Sequence, residues 1–167
     1  ISNAGMISSS SRSFTNSNII INSGTITNQG ALTNTGTITN SGSIDNNQGS
    51  IRNQGTLDSS GSIETTGTID NESKMANTGT ITIQISDGNK VGIVNPGTFT
   101  NSGVITIQNS NTRYSGIINY GAFSNAQVGT IQNDEGTILN NDKGAFSNSG
   151  VINNNRQAMI QNDRASF

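Results

Sequence analysis

The chain has 167 residues, of which 29% are hydrophobic, 4% aromatic and 11% charged, with a formal net charge of -2. A layered globular core needs more apolar residues than this. Disordered chains of low hydrophobicity, in turn, usually carry high charge or much proline, whereas this chain has one proline. The few Lys and Arg residues are scattered, which argues against nucleic acid as a partner, because phosphate binding needs clustered positive charge.

Cysteine and histidine are both absent. Disulfides, thiolate metal sites, and histidine-based catalysis or metal binding are therefore excluded. Every apolar stretch is too short to cross a bilayer, so the sequence predicts no transmembrane segment. Residues 1–21 follow the pattern described below only partly, and they are predicted to form an irregular first coil.

From Asn22 to about Thr82 the sequence repeats a six-residue unit, N-x-G-x-[IL]-x, in phrases such as NSGTIT, NQGALT and NTGTIT. Within the unit, Asn, Gly and the aliphatic residue share one parity, and Thr, Ser and the acidic residues share the other. Successive side chains of a β-strand point to opposite faces, so one parity faces inward and the other faces solvent. Because Ile and Leu do not form a solvent face, Asn and Gly are predicted to lie inside with them.

One aliphatic residue in six is enough for a core only if the chain coils and stacks equivalent residues one turn apart. Three units make a coil of about 18 residues, lengthening to about 23 to 26 later, and the chain makes about seven such coils. The large residues then fall into three core columns. The first is Ile20, Ile38, Leu57, Met75, Phe99, Phe123 and Phe146. The second is Ile26, Ile44, Ile63, Ile81, Ile105, Ile131 and Ile152. The third is Leu32, Ile51, Ile69, Ile93, Ile118, Ile138 and Ile160.

The sequence thus predicts an all-β fold, a single-stranded parallel β-helix (β-solenoid) with three faces. Inward Asn side chains are predicted to hydrogen-bond along the axis, as in cross-β ladders. Gly is predicted at the corners for its freedom at positive φ and for close backbone approach. One domain spans 1–167: the irregular first coil (1–21), regular hexapeptide coils (22–82), and longer coils with inserted loops (83–167).

The residues that carry charge or hydroxyl groups give weak site signals. Asp45 and Glu64 are predicted to lie one coil apart on one face, which resembles a carboxylate pair of a sugar-cleaving enzyme; two solvated surface charges explain them more simply, and no catalytic site is predicted. Acidic turns around Asp87, Asp134 and Asp142 leave structural calcium open, although their spacing lacks the density of known calcium loops. No other cofactor is expected.

The outward positions of the later coils contain an apolar row. Val94, Ile117, Leu139 and Met159 are predicted to project from the third face, and stacked exposed apolar residues are a candidate contact patch. The predicted loop from Asn109 to Ser115 either folds over this row or leaves it open to another copy. The candidate partner surface consists of these four residues together with Arg113, Tyr114 and Tyr120.

With these repeats, the chain resembles the right-handed β-helix shafts of filamentous-haemagglutinin-like adhesins and autotransporter passengers, which are rich in phrases such as GTITNSG, found here at Gly36–Gly42. The resemblance implies an extracellular or cell-surface location, a host glycan or surface receptor as partner, and a structural or adhesive fibre role. The even hexad also fits a left-handed acyltransferase-type helix; right-handed winding is favoured. Self-association through coil stacking or lateral packing is expected. The alternative function is a ligand-binding solenoid, which would bind ice through Thr-x-Thr arrays or bind a glycan.

Overall fold

The computed structural model of the chain describes residues 1–86, 90–110 and 114–164. Twenty-four strands run through them, and the described residues contain no helix. The strands are β1 (Ser2–Asn3), β2 (Met6–Ser9), β3 (Ser13–Asn16), β4 (Ile19–Asn22), β5 (Thr25–Asn28), β6 (Ala31–Asn34), β7 (Thr37–Asn40), β8 (Ser43–Asn46), β9 (Ser50–Asn53), β10 (Thr56–Ser59), β11 (Ser62–Thr65), β12 (Thr68–Asn71), β13 (Lys74–Asn77), β14 (Thr80–Ile83), β15 (Ile93–Asn95), β16 (Thr98–Asn101), β17 (Val104–Gln108), β18 (Ser115–Asn119), β19 (Ala122–Asn125), β20 (Thr130–Asp134), β21 (Thr137–Asn141), β22 (Ala145–Asn148), β23 (Val151–Asn155) and β24 (Met159–Asp163).

Every third strand joins the same parallel sheet, so the chain coils around three faces. Sheet A is β1-β4-β7-β10-β13-β16-β19-β22, sheet B is β2-β5-β8-β11-β14-β17-β20-β23, and sheet C is β3-β6-β9-β12-β15-β18-β21-β24. Eight strands in each sheet give eight coils, or roughly 34 Å between the first and last at the usual strand spacing. The predicted parallel β-solenoid with three faces is confirmed. The irregular first coil is complete, since β1, β2 and β3 each pair with the next coil. Right-handed winding stays a prediction.

The three predicted core columns are present in register with one exception, and their last-coil members Ile152 and Ile160 are only half-buried. The strand registers place Ile44, Ile63 and Ile81 directly over one another, and all three are buried. In the third column, however, Ile93 pairs with Ile117, which is fully buried, whereas Ile118 is half-exposed. The prediction of Ile118 as core and Ile117 as surface is therefore wrong. Where a strand carries an inward ladder Asn, the inward apolar residue stands two positions before it, as Ile93 does before Asn95, and in SGIIN that rule selects Ile117.

The first column widens into an aromatic stack in the later coils, as the sequence predicts. The ring centroids of Phe99 and Phe123 lie 4.8 Å apart with the planes at 71°. Those of Phe123 and Phe146 lie 4.7 Å apart and nearly parallel, at 4°. Such offset and edge arrangements stabilise aromatic pairs beyond the area that they bury.

The corner glycines serve close approach rather than unusual backbone angles. No described glycine has positive φ, so that part of the prediction is wrong. A Cβ added at Gly61 would lie under 3.0 Å from the carbonyl oxygen of Gly42 in the preceding coil, and Gly42 stands in the same relation to Gly24. Any side chain at these corners would push apart two coils whose backbones are hydrogen-bonded. Positive φ occurs instead at non-glycine corners such as Gln48 and Glu135.

Candidate functional site

The most ordered chemical feature of the protein is the Asn ladder of sheet C, formed by the last inward residue of each of its eight strands. Its members are Asn16, Asn34, Asn53, Asn71, Asn95, Asn119, Asn140 and Asn162. Each Nδ2 donates to the Oδ1 of the Asn in the next coil, at 2.7 to 2.9 Å. The ladder is unbroken through all eight coils, which confirms the predicted axial hydrogen bonding of inward Asn.

Inward Asn residues of sheets A and B form similar ladders, and the ladder amides also donate to backbone carbonyls near the corners where the chain turns from one sheet to the next. Asn22, for example, donates from Nδ2 to the Oδ1 of Asn40 at 2.7 Å and to the backbone oxygen of Ser43 at 3.0 Å. The buried Nδ2 group thereby finds acceptors for its hydrogens, whereas an unpaired buried donor would be costly away from water. Asn suits the strand ends because one side chain makes both the ladder hydrogen bond to the next Asn and a hydrogen bond to the backbone near the corner.

All the ladder bonds point the same way. In every rung the donor belongs to the earlier coil and the acceptor to the later coil, as in Asn101 to Asn125 of sheet A at 2.7 Å and Asn28 to Asn46 of sheet B at 2.7 Å. Hydrogen-bonded amides in a low-dielectric interior polarise one another, so an aligned series is stronger than its separate members. The solenoid thus has a defined chemical polarity along its axis.

The ladders of sheets A and B are interrupted, and the interruptions leave unpaired atoms. Ser59 replaces Asn in sheet A, and the next rung, Asn77, has a buried Oδ1 without a partner. In sheet B the ladder position is held by Thr65, Ile83 and then Ile107, after which the buried Oδ1 of Asn133 likewise has no partner. Each orphaned oxygen follows a residue other than Asn in the preceding coil, which makes no hydrogen bond to it.

Restoring one missing rung should stabilise the protein. We expect Ser59→Asn to raise the free energy of unfolding by about 1 kcal/mol, because the new Nδ2 can reach the unpaired Oδ1 of Asn77 and a net hydrogen bond is worth that much. Ser59 lies between two Asn rungs, so the backbone already suits Asn. Urea unfolding measures the change, with Ser60→Asn at the adjacent exposed position as the control. A loss of stability would show that the column is too narrow there.

The predicted partner surface is only partly assembled. Val94 and Leu139 are half-exposed in one outward row of sheet C, and Ile118 takes the place between them that was assigned to Ile117. Met159 is exposed at 46% but belongs to the neighbouring row, in register with Thr137. The prediction of Ile117 and Met159 in this row is therefore wrong.

The aromatic part of that surface is likewise divided. Tyr120 is exposed at 42%, whereas Tyr114 is half-buried and packs against the core. Arg113 lies outside the described residues. The described chain thus brings together a short row of Val94, Ile118 and Leu139, without a shared aromatic platform.

An ion pair bridges two coils on sheet C. Arg52 and Asp70 are in register, but the Nε of Arg52 bonds to Glu72 at 2.5 Å, and Gln54 also donates to Glu72 at 2.9 Å. The hydrogen bond from Arg52 is the main reason that the pKa of Glu72 is lowered. Burial is the main reason that the pKa of Asp70 is raised, with the nearby charge of Glu72 adding to it. Exposed pairs of this kind add little stability.

The other site signals stay dispersed. Asp45 and Glu64 are in register on neighbouring strands of sheet B, as predicted. Strands with Thr-x-Thr are separated by unlike ones: Thr80 and Thr82 pair with Ser62 and Glu64. In the part of the chain that the structure describes, no three acidic side chains come together as a metal site; Asp87 lies outside that part. Those residues likewise contain no helix long and apolar enough to cross a membrane.

The chain forms three parallel sheets, each built from every third strand, with columns of inward side chains stacked between them. This arrangement defines the class of protein: a three-faced parallel β-solenoid, a shape consistent with a β-helix shaft. Comparison with family profiles, with curated proteins and with solved structures gives no match.

Proposed function

We propose that the chain is a rigid shaft segment of an extracellular, cell-surface fibre, structural or adhesive in role, and not an enzyme. The unbroken Asn ladder of sheet C carries the proposal. Seven consecutive amide bonds, six of them buried and the last part-buried, tie all eight coils together along the axis, beside the in-register strands. Bending the rod would stretch these bonds, and each buried amide left unpaired costs about 1 to 3 kcal/mol.

The surface chemistry supports the same role. The solvent-facing rows are mostly Thr, Ser and other small or polar residues, as in Thr37, Thr39 and Thr98, and they keep a long β surface soluble. Phrases such as GTITNSG resemble those of surface adhesin shafts, which supports an extracellular location and a glycan or receptor as partner.

Self-association is part of this proposal. Each coil presents three strands and their inward columns to the next, so a second copy stacked coil on coil would meet strand and ladder contacts of the kind that already hold the rod together. The half-exposed row of Val94, Ile118 and Leu139 offers lateral packing as the second mode. Stacked apolar residues in a flat row suit a partner of the same flat shape.

Negative-stain electron microscopy at increasing protein concentration tests the proposal. We expect straight rods that assemble into unbranched filaments, and a cross-β reflection near 4.8 Å along the filament. In the triple variant V94S/I118S/L139S, loss of side-by-side bundles with retained filaments would assign the lateral mode to this row. Straight single rods at every concentration would contradict self-association, and bent or collapsed particles would contradict the shaft.

A further inference from the structure

The outer face of sheet B carries its own axial hydrogen bonds in the later coils. Gln84 donates from Nε2 to the Oε1 of Gln108 at 3.2 Å. Two coils further on, Asn153 donates to Gln132 at 3.3 Å and Asn155 donates to Asp134 at 2.9 Å. The first and third contacts belong to one outer amide row, which runs through Gln108 and Asp134, and the second lies in the neighbouring outward row; both rows are separate from the buried ladders.

One step of this outer row is missing. Gln108 and Asp134 are in register on β17 and β20, yet among the described residues their side chains make no bond to each other. The Oε1 of Gln108 already accepts from Gln84, which leaves its Nε2 without a partner in the described chain. A groove of about 200 Å³ opens at this step, and we call it the amide groove; it is lined by Gln108, Asn109, Asp134, Glu135 and Arg156.

We propose that the amide groove binds one sugar unit of a neutral glycan. A sugar hydroxyl both donates and accepts, and the groove offers both kinds of partner close together. The Nε2 of Gln108 is a donor, and the second carboxylate oxygens of Asp134 and Glu135 are acceptors without a described partner. Asn109 is 4% exposed and held by the backbone of Tyr114 at 2.8 Å, so one wall of the groove is fixed.

The charges of the groove favour a neutral ligand over an acidic one. Arg156 bonds to the Oε1 of Glu135 at 3.0 Å and neutralises it. Among the described residues, the side chain of Asp134 accepts only from amides, Gln132 at 3.4 Å and Asn155 at 2.9 Å, and has no cation as partner. An acidic sugar would meet this charge, whereas a diol can donate to it.

The size of the groove and the lack of an aromatic ring in its lining set the expected strength. A volume of about 200 Å³ holds one sugar ring, or about seven waters at about 30 Å³ each. A few hydrogen bonds without ring stacking give a dissociation constant on the order of millimolar. Copies aligned along a fibre would raise the effective affinity through multivalency, but binding of a single unit does not depend on fibre formation.

The test is a titration of the soluble full chain with methyl glycosides of glucose, galactose and mannose, followed by ¹H–¹⁵N NMR. We expect at least one of them to shift the side-chain amide of Gln108 in a saturable manner, and methyl glucuronide to bind more weakly. Gln108→Ala and Asp134→Asn should each weaken binding about three- to tenfold, since each removes one hydrogen bond. Gln29→Ala, an exposed glutamine of the early coils, is the matched control and should leave binding unchanged.

Three results would overturn the proposal. The first is an absence of saturable shifts with every neutral glycoside, which would mean that water alone fills the groove. The second is binding by the Gln108→Ala and Asp134→Asn variants that equals binding by the parent protein. The third is tighter binding of the glucuronide than of the neutral glycosides. Unchanged backbone amide spectra of the variants establish that they are folded. Microscopy of the same samples reports on fibre formation independently, so failure of one proposal is distinguishable from failure of the other.

Discussion

Asn53→Asp should lower the free energy of unfolding at neutral pH by about 3 to 5 kcal/mol, the cost of an uncompensated buried charge. Asn53 is fully buried, and its Nδ2 donates to the Oδ1 of Asn71 at 2.8 Å and to the backbone oxygen of Lys74 at 2.7 Å. A carboxylate of the same shape still accepts from Asn34, but it turns both of those donor contacts into contacts between oxygens. The ladder is thereby broken with almost no change in volume.

The pH dependence of this variant identifies the cause. Burial and the loss of donors raise the pKa of the new carboxyl in the folded state above its unfolded value of about 3.9. Folding therefore favours the protonated form, which can donate one hydrogen bond again. The stability deficit relative to the parent protein should be smallest below about pH 3.9 and should grow as the pH rises to the folded pKa.

Urea unfolding over a range of pH measures this deficit. Asn47→Asp, at an exposed position of the same coil, is the matched control and should change stability by less than about 0.5 kcal/mol. Equal effects of the two variants would mean that Asn53 is not a buried rung.

Gly61→Ala should lower the free energy of unfolding about as much as Asn53→Asp does, but through a steric clash with the backbone instead of a buried charge. The added Cβ would lie under 3.0 Å from the carbonyl oxygen of Gly42 and from two atoms of Ser41. Backbone atoms cannot rotate away as a side chain can, so the coils must separate at that corner. We expect a loss of about 3 kcal/mol or more, at or above the upper range for overpacked sites, or failure to fold.

The chain provides its own control for this substitution. Gly5 belongs to the same sequence pattern, but a Cβ added there meets nothing within 4 Å. Gly5→Ala should therefore leave the thermal unfolding midpoint almost unchanged. If Gly61→Ala were equally harmless, the close stacking of successive corners would be wrong.

Periodicity alone predicted most of the fold, because every coil repeats the same physical constraint. The parity of Asn, Gly and Ile fixes which side chains point inward, and their spacing fixes the register, so the columns through Ile44 and Phe99 follow from the sequence. The rule failed at the two adjacent isoleucines of SGIIN, where hydrophobicity alone does not choose between Ile117 and Ile118. The spacing to Asn119 does distinguish them, because the inward apolar residue stands two positions before the ladder Asn, and that residue is Ile117.

The candidate sites were harder to predict because they depend on side chains that the repeat does not constrain. Arg52 pairs with Glu72 at the corner instead of Asp70 directly beside it, since its long side chain reaches the next turn. The amide groove was missed altogether. The phrases ITIQ and TIQN carry Gln108 and Gln132 at outward positions, which was the available signal, but the missing contact between Gln108 and Asp134 is visible only in three dimensions.

Hydrogen exchange of the asparagine side-chain amides, measured by ¹H–¹⁵N NMR, tests the stacked ladder most directly. The ladder predicts slow exchange of the Nδ2 protons of Asn34, Asn53, Asn71 and Asn95, all fully buried, and fast exchange at exposed Asn18 and Asn47. Protection should also fall sharply for the ladder in Asn53→Asp. Fast exchange at all of these positions alike would contradict an axial asparagine ladder, and with it the rigid shaft.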